Sequence, residues 1–255
     1  MENLGNSMNP LNIGDIYNDN NKENLKNFSP QKIADETRNY LKKVFLWLFA
    51  GIFISGLVSY FVYGFFKNND FGISGYLLPL AVIAFIVQLV ICLILIWAIK
   101  KISKVTAQVL FILYAIITGM TFSFIFFAFS IKTITLTFFV TSIMFLILSI
   151  VGYKTKKDIS KFSTILFSGL MCLILVSVVN LFMGNNFLDF IVSVIGVLVF
   201  MGFTIFDVYS IKKFNIIGNE GTDEDEKEVI VGAFNLYLDF VNLFINLLKV
   251  INDIT

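Results

Sequence analysis

Histidine is absent from the 255 residues, and cysteine and proline are scarce, with two and three residues. Without histidine the chain cannot form a Ser-His-Asp or Cys-His catalytic centre or a His-ligated zinc site. Any change of charge between about pH 5 and 8 must then come from a perturbed carboxylate. Cys92 and Cys172 both lie in apolar sequence, which favours small buried hydrophobic side chains over a disulfide.

Charged residues are also few, at 15% of the chain against about 25% in a typical soluble domain. Hydrophobic residues make up 57% of the chain and are concentrated in long blocks. The formal net charge of +1 gives no indication of a nucleic-acid partner. This composition predicts a multi-pass membrane protein that is surrounded by the lipid bilayer.

Seven apolar blocks follow one another, and each is long enough to cross ~30 Å of hydrocarbon as a helix. They run over Val44–Phe66, Tyr76–Ile99, Val105–Phe129, Thr133–Gly152, Ser163–Met183, Phe187–Ser210 and Val229–Ile251. Because lipid tolerates no open sheet, we predict an all-α bundle of seven transmembrane helices over residues 44–252. Residues 1–43 are predicted as a polar N-terminal tail, largely disordered, with a short surface helix over Gln31–Lys43.

Lysine and arginine concentrate on one side of the predicted helices. Fourteen of them lie in the segment before the first helix or in the second, fourth and sixth loops, against three on the other side. This asymmetry predicts a cytosolic N-terminus and, after seven crossings, an external C-terminus. If the last helix re-enters the membrane instead of crossing it, the C-terminus is cytosolic, and the single Lys249 does not distinguish the two arrangements.

The sixth loop is acidic and reads EGTDEDEKE over Glu220–Glu228. It lacks the alternating ligands, central glycine and terminal glutamate of an EF-hand. We therefore predict a solvated acidic linker, with a cation site as the alternative.

Polar residues form one stripe on the last helix. Asn235, Asp239, Asn242 and Asn246 follow at spacings of four, three and four in otherwise apolar sequence. In a helix of about 3.6 residues per turn these side chains share one face. A carboxyl group at that depth costs about 2.5–3.5 kcal/mol to insert, so it usually faces the bundle interior and has a function.

A second aspartate, Asp207, lies near the end of the sixth block, with Thr204 and Ser210 on adjacent turns. If the last two helices are antiparallel neighbours, the depths of Asp207 and Asp239 agree to within about 10 Å. Two carboxylates in one low-dielectric site cannot both ionise at low cost, so the pair is expected to share a proton and titrate as a unit. Their oxygens also suit a transient Ca²⁺ ion. The alternative is an interhelical hydrogen bond with a purely structural role.

Four segments together resemble the Bax inhibitor motif family of transmembrane proteins. They are LYLDFVNLFINLLKV, FTIFDVYSIK, GYKTKKDIS and TGMTFSFIF. The resemblance implies a seven-helix bundle with the last helix at its centre. It also implies a pH-sensitive calcium leak in which Asp207 and Asp239 are the pH sensor and the pore gate. We predict that Asn235, Asn242, Asn246 and Thr204 support the pair, with a purely structural role as the alternative for the three asparagines.

The resemblance also implies a basic latch at the end of the second helix, where bacterial relatives have an arginine. This chain reads AIKKISK there, so Lys100 or Lys101 would have to serve. Lysine cannot form the bidentate pair that arginine makes with a carboxylate, which favours an interfacial anchor. Many relatives carry an acidic residue in this helix, where the present chain has only Gln88.

We predict a calcium leak of a bacterial plasma membrane, with calcium as the transported ion and no cofactor. The alternative is a non-conducting membrane regulatory or interaction protein, whose protein partners the sequence does not identify. An intramembrane aspartyl protease would also use two aspartates, but its YD and GxGD motifs are missing here, so we predict that the protein is not an enzyme.

Overall fold

The structure is a computed structural model that describes residues 28–68 and 77–254. Its α-helices are α1 (Pro30–Asn68), α2 (Leu77–Trp97), α3 (Lys104–Phe122), α4 (Ile125–Ala128), α5 (Ile131–Lys154), α6 (Phe162–Met183), α7 (Asn186–Phe214) and α8 (Asp223–Ile254). One 3₁₀ turn, Ile99–Lys101, separates α2 from α3. The described part of the chain contains no β-strand.

All seven predicted apolar blocks coincide with helices, which confirms the multi-pass helical fold. Six helical segments are long and apolar enough to cross a membrane, with α3 and α4 counted together as Lys104–Ala128. The remaining block corresponds to α2, which has 21 residues. The short α4 follows a break at Ser123 and Phe124 that the sequence did not predict.

The helix predicted over Gln31–Lys43 is not a separate element. It forms the first turns of α1, which continues without interruption through the first span and has 39 residues. No glycine or proline lies between Pro30, at the first helical position, and Gly51, so nothing in the sequence ends the helix there. Residues 1–27 of the predicted tail, and Tyr76 at the start of the second block, lie outside the described residues.

The prediction of a solvated acidic linker over Glu220–Glu228 is correct in the exposure of Glu220–Glu224 but wrong for the rest of the segment. From Asp223 onward these residues form the first turns of α8, where carboxylates are stabilised by the helix dipole. Asp225 is only 2% exposed and pairs with Lys43 of α1. The sequence pattern could not indicate this, because the partner lies 182 residues away.

The described residues divide into two compact units. One takes the described part of Met1–Thr121 together with Ile211–Phe234, and the other takes Phe122–Ser210 with the described part of Asn235–Thr255. In the first unit, α1 and α3 pack closely. A Cβ at Gly119 would lie 2.6 Å from the carbonyl oxygen of Ser55, whose hydroxyl donates to the carbonyl oxygen of Ala115 at 2.8 Å.

The second unit contains α4, α5, α6, most of α7 and the part of α8 from Asn235 onward. Its core joins Leu148 of α5, Phe200 of α7 and the pair Leu243 and Leu247 of α8. The ring of Phe240 also lies edge-on to the ring of Phe145, with centroids 5.5 Å apart. These contacts hold α5, α7 and α8 together.

The spans differ widely in burial. In α8, 61% of the most apolar 18-residue stretch is buried, against 28% or less in the other five. The last helix is therefore the most buried of the six candidate spans. In α6 none of that stretch is buried, so Cys172 is exposed rather than buried as predicted, while Cys92 of α2 is half-buried, and both thiols are free.

Candidate functional site

Helices α7 and α8 are antiparallel neighbours, the arrangement that the sequence left possible. Near one end, the Lys249 ammonium of α8 lies 3.0 Å from the Asp189 carboxylate in the first turn of α7. Further along, the side chain of Asn246 lies against the Cα of Gly196, where any Cβ would collide with it. A glycine at this position therefore allows the two helices to approach closely.

This pairing brings Asp207 and Asp239 to a similar level. From the contact between Gly196 and Asn246, Asp207 is eleven residues along α7 and Asp239 is seven residues along α8 in the same direction. At about 1.5 Å per residue the two levels differ by only about 6 Å. Two carboxyl groups at such similar levels on neighbouring helices repel each other when both are ionised.

The environment of the pair is enclosed. Asp239 is 4% exposed, and Asp207 is half-buried. The Oδ2 atom of Asp239 has no hydrogen-bond partner among the described residues, and the same holds for the buried hydroxyl groups of Ser149 and Ser210. A buried carboxylate without partners is costly. The site therefore favours a carboxyl group that is protonated or that meets a cation.

Helix α5 closes one side of this region. A Cβ at Gly152 would lie 2.5 Å from the carbonyl oxygen of Ile205 and 3.1 Å from the Cβ of Val208. These two residues flank Asp207 on α7. Ser149 precedes Gly152 by about one turn, so its unpartnered hydroxyl lies on the part of α5 that approaches the carboxylates.

The supporting polar residues bond mainly to their own helices. The side-chain amides of Asn242 and Asn246 donate to the carbonyl oxygens four residues earlier, at 2.8 and 2.7 Å. The hydroxyl of Thr204 likewise donates to the carbonyl oxygen of Phe200 at 2.8 Å. Asn235 is half-buried. Their supporting role toward the aspartates stays a prediction.

The candidate latch residues lie in the 3₁₀ turn after α2. Lys100 is exposed and lies within electrostatic range of Glu228 near the start of α8. Lys101 is exposed. Gln88, in the middle of α2, donates its side-chain amide to the Thr118 hydroxyl at 2.8 Å. In this structure Gln88 therefore links α2 to the family-like segment of α3.

Sequence reasoning missed the role of the segment GYKTKKDIS between α5 and α6. The hydroxyl of Tyr209, two residues after Asp207, donates to the Asp158 carboxylate of this segment at 3.3 Å. Asp158 also accepts the backbone N–H of Ser160 at 2.9 Å. The segment is thus fastened to α7 beside the carboxylate pair. The only signal in the sequence was a tyrosine two residues after a membrane aspartate.

Comparison with known proteins agrees with this architecture. The profile of the family described as "Inhibitor of apoptosis-promoting Bax1" matches residues 37–254. The inner membrane protein YbhL of Escherichia coli is 33% identical over 217 residues, which are 85% of this chain and 92% of that protein. An uncharacterized protein of Deinococcus radiodurans is 31% identical over 223 residues, 88% of this chain and 94% of that protein.

A third relative, an uncharacterized protein of Borreliella burgdorferi, is 40% identical over 152 residues, 60% of this chain and 66% of that protein. The family profile covers the chain from the first turns of α1 to the end of α8. The chain therefore belongs to the Bax inhibitor family, a non-enzymatic family of membrane proteins, and is a multi-pass member of it.

Proposed function

We propose that the protein is a pH-sensitive calcium leak, with Asp207 and Asp239 as the proton sensor and the pore gate. The observation that carries the proposal is the enclosed carboxylate pair on α7 and α8. Asp239 is almost fully buried and one of its oxygens lacks a protein partner. A shared proton ties the two helices together, and its loss leaves two like charges that repel and can bind a divalent cation.

Two unpartnered hydroxyl groups support a cation pathway at this level. Ser149 and Ser210 offer neutral oxygens on α5 and α7, which are the ligands that Ca²⁺ accepts beside carboxylates. Transport requires binding that is weak enough to release the ion. A site with two carboxylates and few fixed ligands meets that requirement better than a closed cage of carboxylates.

The membrane and the orientation are also part of the proposal. The relative YbhL is named an inner membrane protein, and we assign the present chain to the bacterial plasma membrane. The lysine-rich ends of the helices face the cytosol, which places Asp207 and Asp239 in the cytosolic half of the bilayer.

The test is calcium flux into proteoliposomes at several pH values. Wild type should conduct, and its flux should change with pH. Asp239→Asn and Asp207→Asn should each alter the flux and flatten its pH dependence, because a single carboxyl group cannot share a proton with an amide. Asp189→Asn is the matched control, since this α7 aspartate is half-exposed at the end of the helix and pairs with Lys249.

Unchanged flux curves in both pair variants would contradict the assigned roles. Folded wild-type protein that conducts no more than empty liposomes would contradict the leak. The second candidate, a non-conducting regulatory or interaction protein, would then take its place.

A further inference from the structure

The first turns of α1 extend beyond the apolar block and contact the connection between α7 and α8. We call this set of contacts the clasp. It joins α1 to the loop and to the first turn of α8 through Glu36, Asn39 and Lys43 on one side and Gly218, Glu220, Asp225 and Glu226 on the other. All of these residues belong to the same compact unit.

Lys43 is the charged centre of the clasp. Its ammonium lies 2.9 Å from Oδ2 of Asp225 and 3.0 Å from Oε1 of Glu226. The Asp225 side chain is only 3% exposed, so its charge requires a partner inside the protein. The same Oδ2 atom accepts the backbone N–H of Gly221 at 2.9 Å. One carboxylate thus fixes both the loop and the start of α8 to α1.

A second contact fixes the middle of the loop. The carboxylate of Glu36, itself 8% exposed, accepts the backbone N–H of Gly218 at 2.8 Å. The ring of Phe28 covers Gly218 so closely that a Cβ there would lie 3.1 Å from ring carbons. Gly218 has a φ of +95° and Gly221 a φ of +83°, and residues other than glycine rarely adopt such backbone angles. The loop therefore has one defined shape that matches α1.

The outer contacts of the same region are weaker. Asn39 donates to Glu220 at 3.1 Å in an exposed position. Lys104 of α3 lies 2.9 Å from Asp223, but the two side chains are 41% and 61% exposed. Exposed pairs of this kind contribute little to the free energy of folding. The contacts of the buried carboxylates of Glu36 and Asp225 therefore stabilise the clasp most.

The clasp holds the connection between the two helices that carry the aspartates. Asp207 lies four residues before Ile211, and Asp239 lies fourteen residues after Asp225 on the same continuous helix. A helix behaves as a rigid element, so a displacement at one of its ends also moves the side chains further along it. An anchor at the loop thus sets where α8 begins relative to the end of α7.

We propose that Lys43 is a positioning residue, which keeps α7 and α8 at the separation that couples Asp207 to Asp239. The link to ion flux rests on the proposed function, while the clasp itself does not. Loss of the Lys43 charge leaves Asp225 buried without a cation, so the loop must open to hydrate it. The two helices then separate, the carboxylates interact less, and the shared proton is held less tightly.

Hydrogen exchange of the full chain in detergent, followed by mass spectrometry, tests the clasp directly. The amides of Gly218 and Gly221 are protected by Glu36 and Asp225, so a peptide that spans them reports clasp opening. In Lys43→Met we expect their exchange to accelerate about tenfold or more, the equivalent of one lost charge-assisted hydrogen bond. Lys43→Arg keeps the charge and should restore the wild-type rate.

Lys42→Met is the matched control, because Lys42 is exposed on the next position of α1 and has no ion pair among the described residues. It should exchange as wild type. Glu36→Ala is the second opening variant and removes the acceptor of the Gly218 amide, together with the exposed partner contact to Lys32 on the same helix. It should accelerate exchange at Gly218 even if Lys43→Met proves too unstable to purify.

Flux in proteoliposomes tests the link to the carboxylate pair. In Lys43→Met the pH at which flux changes should move to lower pH, because weaker coupling makes the shared proton easier to lose. Lys43→Arg should return the curve to the wild-type position, a recovery that nonspecific destabilisation would not produce.

The outcomes separate the two proposals. Wild-type exchange rates at Gly218 and Gly221 in both opening variants would overturn the clasp, whatever the flux. Faster exchange with an unchanged flux curve would overturn the positioning role of Lys43. A wild type without flux would overturn the proposed function, and hydrogen exchange would still decide for or against the clasp.

Discussion

The close approach of α5 to α7 at Gly152 leads to a quantitative prediction. A methyl group in Gly152→Ala would lie 2.5 Å from the backbone carbonyl oxygen of Ile205, where ordinary contact begins at 3.4 Å. The obstacle is backbone, so no side-chain rotation relieves it. One helix must therefore move by about 0.9 Å, beside Asp207.

The expected cost follows from two opposing effects. Overpacking of a close helix contact costs about 1–3 kcal/mol, and a backbone obstacle belongs at the upper end. Replacing glycine by alanine within a helix returns up to about 1 kcal/mol. We expect Gly152→Ala to lower the free energy of unfolding by about 2 kcal/mol, and the displacement of α7 to alter the pH dependence of flux.

Thermal unfolding in detergent, followed by the fluorescence of Trp47 and Trp97, measures the effect on stability. Gly56→Ala is the matched control, because a Cβ at this exposed position of α1 meets nothing within 4 Å. It should be as stable as wild type or more stable by up to about 1 kcal/mol. The reasoning fails if Gly152→Ala unfolds at the same temperature as Gly56→Ala.

Two further substitutions test the packing of α8. Phe240→Ala should cost about 3–5 kcal/mol, because this side chain is 6% exposed and contacts the rings of Phe138 and Phe145. A loss below about 1 kcal/mol in thermal unfolding would contradict the burial. Lys249→Met should cost less than about 1 kcal/mol, because its ion pair with Asp189 is exposed. A loss as large as that of Phe240→Ala would show that this pair does more than join two helix ends.

The spacing of polar residues was sufficient to single out α8 before the structure was known. The stripe of Asp239 and the three asparagines singled out the last helix, which the structure shows to be the most buried span. The sequence left an antiparallel pairing of α7 and α8 as a possibility, and the contact between Asp189 and Lys249 shows that the two helices do pair in this way. Such predictions succeed because membrane helices must satisfy their backbone internally, and sequence periodicity then determines which side chains share a face.

Contacts between segments that are distant in the chain could not be predicted from the sequence. The acidic run at the start of α8 has the composition of a solvated loop, yet Asp225 is buried because Lys43 and Gly221 satisfy its carboxylate. The close approach at Gly152 and the bond from Tyr209 to Asp158 likewise depend on which helices pack together. Local patterns carry no information about pairings of this kind, which arise only when the whole chain is packed.

The pair of aspartates is the central claim, and calcium flux at several pH values tests it most directly. Proteoliposomes with wild type, Asp239→Asn and Asp189→Asn should be compared under identical conditions. The account predicts pH-dependent flux in wild type and Asp189→Asn, and an altered flux with little pH dependence in Asp239→Asn. A flux curve of Asp239→Asn that superimposes on that of wild type would contradict it.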